Sequence, residues 1–581
     1  MSQSNTFHLG LTMAGAVSAG AYTAGFMDYV LEALSAWETA KQSHMQPNSI
    51  PKHNVVIDAI GGASAGGMVS MIAALALLDG TITPVKKVSH TKTGNILYDS
   101  WVFLDDDDSL YDGSGIGETT FKKMLSESDL KAKAKGAPSL LNTAPIDTIA
   151  ERVFEQLSKT AGVDNFPSYI SKDLRILLTV TSLRPIDYKV TLSRIKSKFL
   201  DSIPGHRISN HDIVAHFKLN YDGKTDKDKY LPFRPLSPEI DAQSNRDFLI
   251  KVTKATGAFP VGLAPRYFDT EFPMRYVQHN LKARKAFTAQ MDLEFSDDHG
   301  ENFEFTAVDG GTINNEPFDE VLRCLEDHHG PEDAENPKYG TVLIDPFPSF
   351  KDAPKSDTTL DYKRNSILDI VGHLVPTILN QARNKQSDTF GSGVFKIMAF
   401  PRKLKLGQVD EEVDYPPLAT GGIGGFGGFL DIEFRKHDFF LGRKNARNFL
   451  RGVFFAECHA EDKDNLFYGT SDAAIEAFSR VVDGKIYMPI IPDVSKLDAD
   501  DDPNPTRYEM QDFPKFDVAA FKSMEKPIKK RVKAILKAEL NTKFSGFFWW
   551  LSQRIVIGTV AKKLTKWIMS KIEHDLTKRG M

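Results

Sequence analysis

Ser64 sits at the centre of Gly62-Ala63-Ser64-Ala65-Gly66, between an apolar run, Val55 to Ile60, and a strongly apolar segment, Met68 to Leu78. A G-x-S-x-G between a strand and a helix makes a nucleophile elbow: small neighbours let the chain turn sharply, and the hydroxyl is pushed into the open. The N-terminal amides of the helix then face any negative charge that develops beside it. A serine also needs a base. Asp309 follows the apolar run Phe305 to Val308 and precedes Gly310 and Gly311, whose missing side chains permit close backbone approach. An aspartate within reach of the serine hydroxyl could take its proton directly, without the histidine of a triad. A third segment, Met13-Ala14-Gly15-Ala16, offers backbone N–H groups as an oxyanion hole. Taken singly, each piece also reads as a tight turn or as a helix N-terminus packed on a sheet.

The elements that must position these residues follow from periodicity. Phe7 to Met13 predicts a buried strand, and Ala21 to Trp37 a helix with Ala24, Met27, Val30, Leu31 and Leu34 at helical spacing. A polar loop, Gln42 to Asn54, leads to the strand, elbow and helix around Ser64. Two successive β–turn–α units predict a mainly parallel sheet covered by helices. Further strands are expected at Arg175 to Thr181, Arg246 to Val252, Phe303 to Val308 and Gly340 to Ile344, with the sheet closing near residue 350. Lys351 to Asp361, polar and poor in apolar residues, reads as a surface connection. A helix from Ile367 to Arg383, a glycine-rich stretch from Gly421 to Gly428, a helix from Lys436 to Cys458 and a basic tail are expected beyond it.

Together, and in this order, the three segments resemble the patatin-like phospholipases, which join a glycine-rich oxyanion loop, a G-x-S-x-G elbow and a late D-G-[GA] acid in a Ser–Asp dyad. Two more segments are similar to that family: Ala255-Thr256-Gly257-Ala258-Phe259-Pro260 and Asn314-Asn315-Glu316-Pro317. The five matches reach from the N-terminus to about residue 345. The loop departs from the usual G-G-G-x-[RK]-G and instead reads Ala14-Gly15-Ala16-Val17-Ser18, a form similar to a bacterial branch of the family. Alanine keeps the backbone donor. The resemblance implies Ser64 as nucleophile, Asp309 as base, Gly62 and Gly66 shaping the elbow, Ala14, Gly15 and Ala16 at the oxyanion hole, and Gly310 and Gly311 completing the acid motif. The implied activity is release of fatty acids from lipids, of the phospholipase A or lysophospholipase type, through an acyl-enzyme and with no cofactor and no metal. A neutral-lipid esterase or an acyltransferase with the same dyad is the alternative among enzymes; a non-catalytic membrane-binding scaffold is the alternative of another class.

Other features bound the reading. None of the histidines after Asp309 (His328, His329, His373, His437, His459 and His574) lies in a Gly- or Asp-rich loop that would mark it as a triad member. Asp105 to Asp108 lacks the ligand alternation of a calcium loop and reads as a solvated acidic turn. Gly421 to Gly428 has no following Gly-Lys-Ser/Thr, so it is expected to cover the site or lie on the surface rather than hold phosphate. Cys324 and Cys458 show no zinc or disulfide spacing. The eight residues before Leu9 carry no Lys or Arg, which argues against a secretory signal.

The net charge of −5 conceals a basic tail: from Phe521 onward 15 Lys/Arg face 4 Asp/Glu. Within it, Trp549, Val556, Val560, Leu564 and Trp567 share one helical face, which predicts either an interfacial helix attracted to anionic lipid or a helix packed on the core through that stripe. Nucleic acid is not expected. The expected architecture is a three-layer α/β/α catalytic domain over 1–350 with a mainly parallel central sheet, then a largely helical extension: 351–520, which could act as a lid, and an amphipathic basic tail, 521–581. The expected partner is phospholipid or another acyl lipid, reached by peripheral contact through 544–569, and the expected location is the cytoplasm, at the inner face of the membrane.

Overall fold

The computed structural model describes residues 5–43, 48–80, 83–130, 136–157, 167–191, 206–219, 226–283, 292–295, 300–331, 336–348, 395–402, 417–498, 513–543 and 547–581. Strands β1 (Thr6–Met13), β2 (Asn54–Gly62), β3 (Ile170–Thr191), β4 (His206–Leu219), β5 (Leu231–Phe233), β6 (Arg266–Phe268), β7 (Asp292–Phe295), β8 (Phe305–Asp309), β9 (Tyr339–Ile344) and β10 (Phe395–Ala399) form one sheet. Its centre runs β10-β9-β1-β2-β3, and every neighbouring pair in that run is parallel. Beyond it the sheet changes sense, because β4, β7 and β8 all pair antiparallel with β3. One face of β1 carries Phe7, Leu9, Leu11 and Met13, at most 2% exposed, and the other carries His8, Gly10 and Thr12, of which Gly10 and Thr12 are also buried, as a central strand covered on both sides requires.

Helices α1 (Gly20–Gln42) and α2 (Ser64–Asp79) cover one side of the sheet. The helix Phe318–His329 covers the other, where Ala59, Leu177 and Val214 meet Val321. Gly10 and Gly61 mark how tightly it sits: a Cβ at either would fall 2.7 or 2.5 Å from a Val321 methyl. These are the three layers read from the sequence.

Two elements differ from expectation. Arg246 to Val252 is not a strand but the start of a helix, Arg246–Thr256, burying Leu249, Val252, Thr253 and Thr256. Buried residues at offsets of three and four mark a helix; over a run this short, a strand pattern is not distinguishable from it. The sheet also does not close near residue 350, because β10 adds parallel to β9. The expected helix at Ile367 to Arg383 lies outside the described residues.

The expected helix at Lys436 runs Ile432–Gly452 and is followed by a short strand, Phe455–Glu457. It crosses α1 at two glycines. A Cβ on Gly25 would lie 1.9 Å from the Phe439 carbonyl oxygen, and one on Gly442 would lie 2.1 Å from that of Tyr22. Arg443 ties the crossing to Asp28 and Glu32. Two turns earlier, Arg435 is 2% exposed and donates to the carbonyls of Val102 and Gly428 and to Asp106. Asp106, expected in a solvated turn, is therefore buried: it pairs with Arg435 and also accepts from Tyr111 and Thr120.

His53 closes the core between Trp37 and Phe467, with Nε2 2.8 Å from the Ile490 carbonyl oxygen. Burial pushes its pKa down to about 3. Between there and the ordinary histidine range near 6.5, the unfolded chain binds a proton that the folded chain refuses, so stability falls as pH drops through that window. The expected result is a slope of Tm against pH between 6.5 and 4 that is shallower in His53→Phe than in wild type, by the equivalent of about 1.4 kcal/mol per pH unit. Thermal melts across that range check it. His216, whose pKa burial also lowers, keeps its share of the slope in both proteins.

Candidate active site

The parallel strands end together, and the register of β3 brings the two principal residues to one edge. Leu178 pairs with Gly62 at the end of β2; two residues further along, Val180 pairs with Asp309 at the end of β8. The Ser64 hydroxyl donates to Asp309 Oδ2 at 2.6 Å, while Asp309 Oδ1 accepts the Gly311 N–H at 2.7 Å. The carboxylate is thus held by backbone on one oxygen and presented to the serine on the other. Both side chains are buried, and among the described residues no histidine lines the cleft in front of Ser64.

The turn that presents Ser64 is strained. Its φ is +52°, a left-handed conformation that costs about 1–2 kcal/mol for a residue with a side chain. Glycines make room for it. A Cβ on Gly66 would lie 2.2 Å from the Met13 carbonyl oxygen, and one on Gly62 would lie 2.5 Å from that of Gly66. Gly310 fits against the Thr179 backbone, where a Cβ would be 2.1 Å from the carbonyl oxygen. The Ser64 N–H donates to Thr256 Oγ1 at 3.0 Å, and Asp309 N–H donates to the Ala258 carbonyl at 2.9 Å. The segment Ala255 to Pro260 therefore touches both residues. Sequence reasoning noted that segment only by resemblance, because its misread strand hid that a helix delivers Thr256 to the elbow.

The three expected oxyanion donors divide. The Ala14 N–H is taken by the Ile344 carbonyl at 3.0 Å and that of Gly15 by the Asn315 carbonyl at 3.2 Å, which corrects the expectation for these two. The first continues the β1–β9 ladder, and the second ties the loop to the segment that follows the acid motif. Gly15 contributes by its size: a Cβ there would sit 2.9 Å from that of Ser64. Among the described residues, the amides of Ala16, Val17 and Ala65 have no hydrogen-bond partner. Val17 takes φ +49°, as a glycine would, and lines the cleft with Ser64 and Ala65.

The cleft is apolar. Met68, Ile72, Trp101, Leu104, Ile146 and Phe429 are among its walls, and it encloses only about 50 Å³. Pockets that hold small molecules typically span about 300–1,000 Å³. The glycine-rich stretch Gly421 to Gly428 lies at its rim: Phe426 packs edge-on against Phe259 at 5.2 Å, and the Ser18 hydroxyl donates to the Gly425 carbonyl while accepting the Gly428 N–H.

Metal-ligating side chains gather elsewhere. His8 Nδ1, Asp58 Oδ2 and His329 Nε2 lie within 4.8 Å of one another, in the first half of β1, in β2 and at the end of the helix Phe318–His329. Burial opposes ionisation of Asp58, but hydrogen bonds from His329 and His8 outweigh it and hold the carboxyl below its ordinary range. The sequence reading, which expected no metal, did not bring these three together. No dyad or cleft residue belongs to the group.

Comparison with known proteins accords with this geometry. Over 84% of its length the chain is 27% identical to an uncharacterized protein of Sinorhizobium fredii, y4iI, covering 70% of that protein. The family model described as patatin-like phospholipase matches residues 11–322, which hold the elbow, the acid motif and the loop between β1 and α1. With more than half of its length matched by that model, the chain belongs to the patatin-like phospholipase family.

Proposed function

We propose that this protein is a lipid acyl hydrolase of the phospholipase A or lysophospholipase type, working through a Ser64–Asp309 dyad. The observation that carries the proposal is the 2.6 Å hydrogen bond from the Ser64 hydroxyl to Asp309, made from a strained elbow at the mouth of an apolar cleft. Asp309 accepts the hydroxyl proton as Oγ attacks the ester carbonyl. The developing oxyanion is met by the free amides of Ala65, Ala16 and Val17 at the positive end of α2. As the tetrahedral intermediate collapses, Asp309 returns the proton to the leaving alcohol and an acyl-enzyme remains; a water then gives a proton to Asp309 as its oxygen attacks the acyl carbon, and as the Oγ–carbon bond breaks Asp309 passes that proton to Ser64 Oγ, releasing the fatty acid and restoring the dyad. The walls of the cleft suit an acyl chain.

Membrane contact through the tail belongs to the same proposal. Among the described residues no helix is long and apolar enough to cross a membrane. The helix Phe547–Lys578 instead buries Ile557, Ala561, Thr565, Ile572 and Leu576, and leaves Val556, Val560, Leu564 and Trp567 exposed. Of the stripe named from the sequence, these four therefore do not pack on the core. Contact there with the inner face of an anionic membrane would bring phospholipid to the cleft.

The test is fatty-acid release from phospholipid and neutral-lipid vesicles, together with fluorophosphonate labelling, for wild type, Ser64→Ala and Asp309→Ala. Release from phospholipid that both substitutions abolish, with label on Ser64 in wild type, is the expected result. Folded wild type that neither releases fatty acid nor takes the label would overturn the proposal in favour of a scaffold. Release from neutral lipid alone, or transfer of the acyl group to another lipid, would replace the phospholipase assignment with an esterase or an acyltransferase.

A further inference from the structure

The two C-terminal helices grip the cleft from two sides. The first, Glu525–Lys543, carries Arg531, which is 1% exposed and pairs with Asp129 while donating to the carbonyls of Ser126, Ser139 and Leu140. That segment runs beside the cleft, because the amides of Leu140 and Leu141 donate to the carbonyls of Val261 and Gly262, next to the wall residue Leu263. The second helix, Phe547–Lys578, reaches the opposite rim. Asp575 Oδ2 accepts the N–H of Ile423 at 2.7 Å, and Arg579 holds the same oxygen at 3.2 Å. Leu576 and Ile572 pack in one cluster with Ala419 and Phe434, with Ile423 and Leu430 against it.

The turn gripped by Asp575 is under tension. Ile423 has φ +56° and Gly424 φ +63°. For a β-branched residue the left-handed region is an outlier that persists only when its surroundings impose it. Phe426, which follows that turn, packs against the wall residue Phe259 and against Phe429, itself a wall of the cleft. The helix that holds the turn in place also carries the exposed stripe Val556, Val560, Leu564 and Trp567, the last 60% exposed. Lys562, Lys563, Lys566 and Lys571 stand exposed beside it. An apolar stripe edged by lysines is complementary to an anionic bilayer, where the side chains enter the acyl boundary and the ammonium groups meet lipid phosphates.

We propose that the stripe Val556–Val560–Leu564–Trp567 docks on an anionic phospholipid surface, and that docking shifts the helix so that Asp575 releases the Ile423 turn and the Phe426–Phe429 cover leaves the Ser64 cleft. This rests on the acyl-hydrolase reading and adds its control: the cleft stays closed in water and opens where substrate is. Binding shifts the balance only by its preference for the open form, and the strain at Ile423 leaves the closed form poised to yield.

The experiment uses the full chain with vesicles of phosphatidylglycerol or of phosphatidylcholine. Co-sedimentation and the blue shift of tryptophan fluorescence read docking. The rate of alkylation of Ser64→Cys by a soluble maleimide reads access to the cleft whether or not the protein is a hydrolase, so failure of this proposal is separable from failure of the acyl-hydrolase reading. Hydrolysis of a short-chain soluble ester reads activity without a membrane. Expected are binding to phosphatidylglycerol above phosphatidylcholine, faster alkylation on binding, and loss of both when Val556, Val560, Leu564 and Trp567 are replaced by serine, with soluble-ester hydrolysis unchanged. Asp575→Asn is expected to raise alkylation and soluble-ester hydrolysis by about tenfold without vesicles, the factor that one charge-assisted hydrogen bond is worth. Arg579→Ala should move both in the same direction by less, an independent check if Asp575→Asn melts the helix end. The proposal is overturned if wild type ignores phosphatidylglycerol vesicles, if the serine variant binds them normally, or if alkylation is unmoved both by vesicles and by Asp575→Asn.

Discussion

Asp309→Asn is expected to lower kcat for ester hydrolysis by about 10²–10⁴-fold, the range associated with loss of a general base, while the fold and the apolar cleft remain. The argument is one of shape against protonation. Asparagine fills the same space, and its carbonyl oxygen can keep the Gly311 N–H bond made by Oδ1. Its NH2 group then faces the Ser64 hydroxyl and cannot accept a proton. Because the substituted group acts on the reacting hydroxyl and not on the acyl chain, kcat should fall while KM changes little. Steady-state kinetics on a soluble ester, beside thermal melts that agree to within about 1 kcal/mol, would make the comparison. A variant as active as wild type would show that some other group takes the proton.

The second large effect is structural. Gly25→Ala is expected to destabilise the protein by about 3 kcal/mol or more, at the upper end of what one added methyl does in a packed interior. The added carbon would lie 1.9 Å from the Phe439 carbonyl oxygen, and the obstacle is helix backbone that cannot rotate away. Relief requires α1 and the helix Ile432–Gly452 to separate, which would pull Arg443 from Asp28 and Glu32. Gly558→Ala provides the contrast: nothing lies within 4 Å of the added carbon, and a helical glycine-to-alanine change should stabilise by up to about 1 kcal/mol. Differential scanning calorimetry of the two variants gives opposite signs if the crossing is as tight as described, and equal small shifts if it is not.

Much of this was legible in the residues because it was local. The elbow, the acid motif and the two β–turn–α units are contiguous stretches whose small residues and apolar periods state their own geometry, and β1, α1, β2, α2, β8 and β9 lie where those patterns place them. The readings that failed depended on partners distant in sequence. Which of the amides of Ala14, Gly15 and Ala16 is free is decided by Ile344 and Asn315, some 300 residues away. Whether Asp106 is solvated is decided by Arg435. Arg246 to Val252 was too short for its period to separate strand from helix, and Thr256 went unnoticed as a partner of the elbow for the same reason.

The crossing at Gly25 and Gly442 also bears on how such enzymes can be cut and recombined. The family model ends at residue 322, yet β10 supplies the edge strand beside β9, and the helix Ile432–Gly452 covers α1 and, through Arg435, braces the loop at the rim of the cleft. The portable unit is therefore not the stretch that sequence comparison outlines. A chimaera exchanging residues 11–322 with a relative would join an α1 from one parent to a crossing helix from the other, and would stand or fall on whether both carry glycine at the crossing. Exchanges that move the first 350 residues together with 395–452 keep that seam intact, and are the ones expected to yield folded hybrids.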